Sequence, residues 1–159
     1  MRTLLLLSVL LGLLATVSSQ ITEAVVRSVG VNGKVLCGAQ PAEGVQVRLF
    51  RTKKDDMKDM LDSKTTGSDG RFSLEGNTAG LPVDEADLIP TVRVYHNCDE
   101  DAKKAKKGFR TFIMNIPKDF VTLGRIPRNV YDAGAMNLQV IFPKEGREKN
   151  LKVKSMKFL

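Results

Sequence analysis

The sequence has two cysteines and a single histidine among its 159 residues. Zinc sites use closely spaced pairs of Cys or His ligands, and Cys37, His96 and Cys98 do not provide such pairs. The chain also lacks a serine nucleophile elbow, a phosphate-binding glycine loop and a calcium loop with glycine at its sharp bend. These absences argue against an enzyme, so no catalytic residue, metal or cofactor is predicted.

Long apolar runs are also scarce, and the one at the start of the chain is short. Arg2 is followed by the apolar segment Leu4–Leu14 and by small residues before Gln20. A spanning helix needs about 20 apolar residues, whereas this pattern is typical of a secretory signal peptide. We expect residues 1–19 to be removed, leaving a soluble extracellular protein. A membrane anchor is the competing interpretation.

Both cysteines follow segments in which apolar and polar residues alternate, as in half-buried strands. The residues of common parity are Val29, Val31, Val35 and Cys37 in one segment and Val92, Val94, His96 and Cys98 in the other. Both thiols are therefore expected to face the core, and in an oxidising compartment an even number of cysteines usually pairs. We predict one Cys37–Cys98 disulfide; two buried free thiols are the alternative.

His96 is interpreted as a structural residue. It shares the parity of Val92 and Val94, so its ring is expected to face the interior. A histidine that is hydrogen-bonded at the end of a strand is favoured over a catalytic one, because no second acid or base accompanies it.

The remaining pattern predicts an all-β fold. The predicted strands are Val29–Cys37, Val45–Leu49, a hairpin at 64–76 around Asp69-Gly70, Thr91–His96, Gly108–Ile116, Val130–Asp132 and Ala135–Phe142. Apolar residues on both parities of Gly108–Ile116 indicate an interior strand or one covered by a partner. Seven or eight such strands predict a two-sheet antiparallel sandwich. Its expected limits are 29–143, after a lead-in at 20–28 and before a basic tail at 144–159.

The charged connection Arg51–Ser63 separates two of these strands. Its acidic residues do not fit a calcium loop, and they are expected to be solvated. Met57, Met60 and Leu61 have helical spacing, so a single helical turn is allowed there.

Basic residues outnumber acidic ones, and removal of residues 1–19 leaves a formal net charge of +6. Five basic residues follow Cys98 closely, namely Lys103, Lys104, Lys106, Lys107 and Arg110. Six more lie in the segment from Lys144 to the end of the chain, against two acidic ones. Such clusters attract phosphate, sulfate and carboxylate groups. The five residues after Cys98 are predicted to bind an anionic ligand; a solvated loop and tail are the alternative.

Four motifs occur in order: GKVLCGAQPAEGVQVRLF, LDSKTTGSDGRFSLEG, VRVYHNCDED and VYDAGAMNLQVIFP. Together they resemble the secreted transthyretin-like family best known from nematodes, from about Val29 to Pro143. The resemblance implies a transthyretin-type sandwich and an extracellular protein, and it supports the pairing of Cys37 with Cys98. Many members carry two further cysteines. Lysines stand in the corresponding region around Ala102–Gly108, so no second bridge is implied.

Three functions are compatible with this resemblance and charge pattern. The first is a secreted binding protein that engages an anionic phospholipid, a glycan or an acidic receptor, with peripheral membrane contact. The second is a carrier of a small hydrophobic ligand at a homodimer interface, by analogy with vertebrate transthyretin. The third is an enzyme similar to the hydroxyisourate hydrolases, which use several histidines and a carboxyl-terminal Tyr-Arg-Gly-Ser, whereas this chain has only His96 and ends in MKFL. We expect the first; a secreted protein is not expected to bind nucleic acid.

Overall fold

The computed structural model describes residues 24–54, 56–149 and 151. The predicted signal peptide, residues 20–23 of the predicted lead-in, and residues 150 and 152–159 of the predicted tail lie outside the described residues. Ten strands form two sheets within the described ranges. They are β1 (Arg27–Cys37), β2 (Gln40–Pro41), β3 (Gln46–Phe50), β4 (Met60–Thr65), β5 (Arg71–Asn77), β6 (Thr91–His96), β7 (Phe109–Asn115), β8 (Thr122–Leu123), β9 (Val130–Asn137) and β10 (Gly146–Glu148). One short helix, α1 (Ala102–Ala105), precedes β7.

Strand β1 organises the first sheet because its 11 residues can pair along both edges. On one edge β5 pairs with it in antiparallel register, from Ser28 opposite Asn77 to Lys34 opposite Arg71. On the other edge β9 runs parallel to it, while β2 and β8 add short antiparallel pairs. The second sheet has the order β10-β7-β6-β3-β4. The predicted all-β sandwich is confirmed, with the β1–β9 pair as a parallel element.

The core is filled by side chains of the predicted inward parity from both sheets. The buried members include Val29, Val31, Val35, Val45, Val47, Leu49, Phe72, Leu74, Val92, Val94, Phe112, Ile116 and Leu138. The Cys37–Cys98 disulfide is present, with the two Cα atoms 5.7 Å apart. The predicted disulfide is therefore confirmed. It joins the end of β1 to the segment after β6 and so crosslinks the two sheets.

The Asp69-Gly70 turn connects the two sheets and does not form a hairpin. Strand β4 pairs with β3 in the second sheet, whereas β5 pairs with β1 in the first, so the hairpin predicted at 64–76 is wrong. Gly70 does have a positive φ of 67°, as a tight turn requires. The alternation of Phe72 and Leu74 is the same in either sheet, so it cannot reveal that the chain crosses over.

Strand β9 ends earlier than the strand predicted to reach Phe142. The side-chain oxygen of Asn137 accepts hydrogen bonds from the backbone N–H of Gly38 and of Gln139, both at 3.1 Å. The bond to Gln139, two residues on, is a local side-chain contact of the kind that competes with strand pairing, and the chain leaves the sheet at this point. In the predicted strand Val140 has the parity of Leu138 and Phe142, opposite to Gln139, which predicts an inward side chain; in the structure Val140 is 57% exposed.

Both limits of the predicted domain shift outward. Strand β1 begins at Arg27 rather than Val29. Strand β10 pairs with β7 beyond the domain end predicted at Pro143. Because β10 and β6 flank it, the amino-terminal half of β7 is an interior part of the sheet. An interior strand was one of the two predictions for Gly108–Ile116.

The acidic residues of the connection Arg51–Ser63 are not all solvated. Asp59, in the 3₁₀ turn Met57–Asp59, is only 7% exposed. It accepts hydrogen bonds from the Arg51 guanidinium at 2.6 Å and from the Thr52 hydroxyl at 2.7 Å. Burial opposes ionisation, but these hydrogen bonds outweigh it and lower the pKa of Asp59. Asp59 therefore corrects the prediction that this segment is uniformly solvated.

Candidate anion-binding site between β6 and β7

The candidate site lies on the connection between β6 and β7, which is fixed at its start by the disulfide at Cys98. The chain then turns at Asp99, which has a positive φ of 56°. Asp101 caps α1, since its Oδ1 accepts the N–H of Lys104 at 2.7 Å. The cap explains why a short helix forms within a run of lysines that would otherwise repel one another.

Lys103, Lys104, Lys106 and Lys107 are exposed on α1 and the turn that follows it. We call these four residues the lysine cluster. Within the described part of the chain, none of their ammonium groups is within salt-bridge distance of a carboxylate. Four unpaired charges within five consecutive residues produce a positive surface potential that no neighbouring carboxylate cancels by direct contact.

Arg110 does not belong to this exposed group. It is 7% exposed, and its guanidinium pairs with both carboxylate oxygens of Glu145, one of them at 2.9 Å. It also donates to the carbonyl oxygens of Leu138 at 3.1 Å and Val140 at 3.2 Å. The hydrogen bonds between the two side chains raise the pKa of Arg110 and lower that of Glu145. Arg110 is therefore neutralised internally, which corrects its assignment as an anion-binding residue.

A second ion pair joins β10 to the connection between β6 and β7. Arg147 donates to both carboxylate oxygens of Glu100, one at 2.7 Å, and to the carbonyl oxygen of Gly108 at 3.1 Å. The hydrogen bonds from Arg147 lower the pKa of Glu100. A Cβ on Gly108 would lie 2.5 Å from the carbonyl oxygen of Glu148, so the backbones approach as closely as glycine permits. The connection is therefore held at both ends.

The close approach also brings Lys149 next to the lysine cluster. Its Cα would be 2.9 Å from a Cβ built on Gly108, and its side chain is exposed. The sequence pattern assigns Arg147 and Lys149 to a separate basic tail. No local pattern marks the return of the chain here, because the pairing of β10 with β7 is a long-range event.

His96 directly precedes this connection and is 2% exposed. Its Nδ1 accepts the N–H of Cys98 at 3.3 Å, and its ring meets that of Phe112 edge-on with 6.3 Å between the centroids. Burial, and then the charge of Arg110, lower the pKa of His96 to about 4. The geometry matches the hydrogen-bonded structural histidine that the sequence predicted at the end of this strand.

A sequence model of the family described as TTR-52, transthyretin-like family, matches residues 32–117. The chain belongs to the transthyretin-like family. Three relatives from Caenorhabditis elegans support the membership. Transthyretin-like protein 46 is 39% identical over 145 residues, which cover 90% of this chain and 73% of that protein. Transthyretin-like protein 5 is 35% identical over 77% of this chain and 84% of its own length, and transthyretin-like protein 33 is 34% identical over 80% and 85%.

The family match confirms the resemblance based on the four motifs. The matched residues include both cysteines and the lysine cluster. They end before β9 and β10, so the Arg147 and Glu145 contacts lie outside the part of this transthyretin-like chain that the family model describes.

None of the helices formed by the described residues has the length and apolar character needed to cross a bilayer. Among the same residues, no three His, Cys, Asp or Glu side chains are grouped so that they could hold a metal ion. The lysine cluster and Lys149 form an exposed group of positive charges on this transthyretin-like chain.

Proposed function

We propose that this transthyretin-like protein is a secreted binding protein that engages an anionic extracellular surface through the lysine cluster and Lys149. The observation that carries the proposal is a group of exposed, unpaired ammonium groups on a connection held by a disulfide and two Arg–Glu pairs. Because the backbone is already ordered, association need not order a flexible loop, which reduces its entropic cost.

The electrostatic contribution of the lysine cluster is large enough to give measurable binding to an anionic surface. Each basic residue near an anionic membrane contributes about 1 kcal/mol, so the four lysines together supply roughly 4 kcal/mol at low salt. The carboxylates of Glu100 and Glu145 weaken this attraction only slightly, because each is paired with an arginine. Exposed charges are screened beyond a Debye length of about 8 Å at physiological ionic strength, so binding should weaken as salt is added.

Secretion is supported by two independent features. The first is the predicted signal peptide, and the second is the Cys37–Cys98 disulfide, since disulfides persist mainly in oxidising compartments. Expression of the full chain in eukaryotic cells should release a protein that begins at Gln20. Retention of Met1 in the recovered protein would contradict this part of the proposal.

The binding proposal is tested with phosphatidylserine-containing vesicles, neutral phosphatidylcholine vesicles and immobilised heparin, each at low and high salt. We expect salt-sensitive binding to at least one of the two anionic surfaces and none to the neutral vesicles. Replacing all four cluster lysines by glutamine should weaken binding at least about tenfold.

A matched control separates the site from net charge. Glutamine at four exposed lysines elsewhere, Lys53, Lys58, Lys64 and Lys118, removes the same total charge. The control should bind nearly as well as the unmodified protein. Equal losses in the two variants, or binding that is insensitive to salt, would refute the assignment of the site to the lysine cluster.

A further inference from the structure

A groove of about 500 Å³ crosses the outer face of the first sheet, on β1, β5 and β9. The lysine cluster, by contrast, connects two strands of the second sheet. The groove is lined by polar and charged side chains of the outward parity, namely Asn32, Lys34, Arg71, Ser73 and Asp132. Gly33, Phe72, Gly134 and Ala135 also line it. A Cβ built on Gly134 would meet nothing within 4 Å, so the groove is open at that point.

Two cations stand side by side in this groove. Lys34 and Arg71 are direct partners in the antiparallel register of β1 and β5, so both side chains leave the same face of the sheet. Like charges in this arrangement destabilise a sheet. In the described ranges, neither is within salt-bridge distance of a carboxylate. A bound anion would relieve the repulsion.

The other polar groups that line the groove can form hydrogen bonds with hydroxyl groups of a ligand. The amide of Asn32 and the hydroxyl of Ser73 can both donate and accept hydrogen bonds, and the Asp132 carboxylate accepts them. One oxygen of Asp132 already receives the N–H of Gly134 at 2.9 Å, which holds the carboxylate at the rim. Phe72 is the one large hydrophobic residue that lines the groove, and it is only 5% exposed. A lipid chain would therefore find little apolar contact there.

We propose that this groove binds an acidic saccharide unit. The sulfate or carboxylate of the sugar lies between Lys34 and Arg71, where the guanidinium fork matches two oxygens of the anion. The sugar hydroxyls bond to Asn32, Ser73 and Asp132, and the sugar ring lies over Gly134 and Ala135. This site is separate from the one in the proposed function, and either can fail without the other.

The test is an NMR titration of the unmodified secreted protein with a sulfated disaccharide, its desulfated counterpart and inorganic sulfate. The sulfated disaccharide should shift amide resonances of β1, β5 and β9 more strongly than those of α1, and should bind more tightly than either other ligand. If the desulfated sugar binds equally well, the role of the cation pair is refuted. If inorganic sulfate binds equally well, the saccharide assignment is refuted.

Variants test whether the sulfated disaccharide binds at Lys34 and Arg71. The double variant K34Q/R71Q should weaken binding of the sulfated disaccharide at least about tenfold. The matched double variant K53Q/K58Q removes the same charge from exposed lysines outside both proposed sites and should leave this affinity nearly unchanged. Equal losses in the two variants would overturn the proposal.

Thermal unfolding without ligand tests whether Lys34 and Arg71 repel each other. If the two cations repel each other, K34Q alone should raise the midpoint of thermal unfolding. A lower midpoint in K34Q would show that the pair is not strained, and would overturn the argument that the site is prepared for an anion.

Discussion

Mild acid should destabilise this protein through one side chain. His96 is the sole histidine in the sequence, and histidine is the one side chain whose ordinary pKa lies between about pH 5 and 8. In the folded protein its pKa is lowered to about 4, first by burial and then by the charge of Arg110. The carboxylates of Glu100 and Glu145 act in the opposite direction but do not reverse the shift.

The direction of the pH effect follows from the difference in proton uptake between the folded and the unfolded chain. The unfolded chain binds a proton at His96 near its ordinary pKa of 6.5, whereas the folded chain does so near 4. The stabilising effect of a neutral His96 is therefore fully present above about pH 6.5 and is lost as the pH falls towards 4. Linkage gives a loss of about 2 kcal/mol in the free energy of unfolding between about pH 7.5 and pH 5. The lowered pKa values of Asp59, Glu100 and Glu145 act at lower pH, since their ordinary values are 3.8 and 4.5.

Urea denaturation across this pH range measures the effect. The variant His96→Phe keeps a ring against Phe112 but cannot titrate, so its free energy of unfolding should be nearly constant between about pH 7.5 and pH 5. Loss of the Cys98 hydrogen bond lowers its stability at every pH and does not change the slope. A flat profile for the unmodified protein, or an unchanged slope in His96→Phe, would refute the reasoning.

Three further predictions concern the contacts that hold the fold. Replacing both cysteines by serine should lower the free energy of unfolding by about 4 kcal/mol, because the bridge closes a long loop; a change below about 1 kcal/mol in urea denaturation would contradict this. Glu145→Ala should cost about 3 kcal/mol by leaving Arg110 buried without its partner, and Glu145→Gln should cost less because it keeps an acceptor; equal losses in the two variants would argue against the charge pairing. Gly70→Ala should lower the thermal midpoint, since its Cβ would lie 2.4 Å from the Val35 carbonyl oxygen, whereas Gly44→Ala, with open space around it, serves as the control for a positive φ alone.

Several features of the fold were determined by the sequence alone. The alternation around Val92 and Val94 identified β6 and its buried face, because side chains on a strand alternate whatever the partner strand is. The same parity placed Cys37 and Cys98 inward and led to the disulfide. The four ordered motifs were sufficient to identify the family.

Other features were decided by the tertiary structure. The sequence could not show that β5 pairs with β1 and not with β4, because alternation has the same period in either sheet. It counted Arg110 among the exposed cations, since charge alone does not reveal that Glu145, 35 residues later, returns to neutralise it. The groove at Lys34 and Arg71 likewise exists only once the register of β1 and β5 is set. Local patterns fix which way a side chain points, whereas its neighbours depend on contacts between distant parts of the chain.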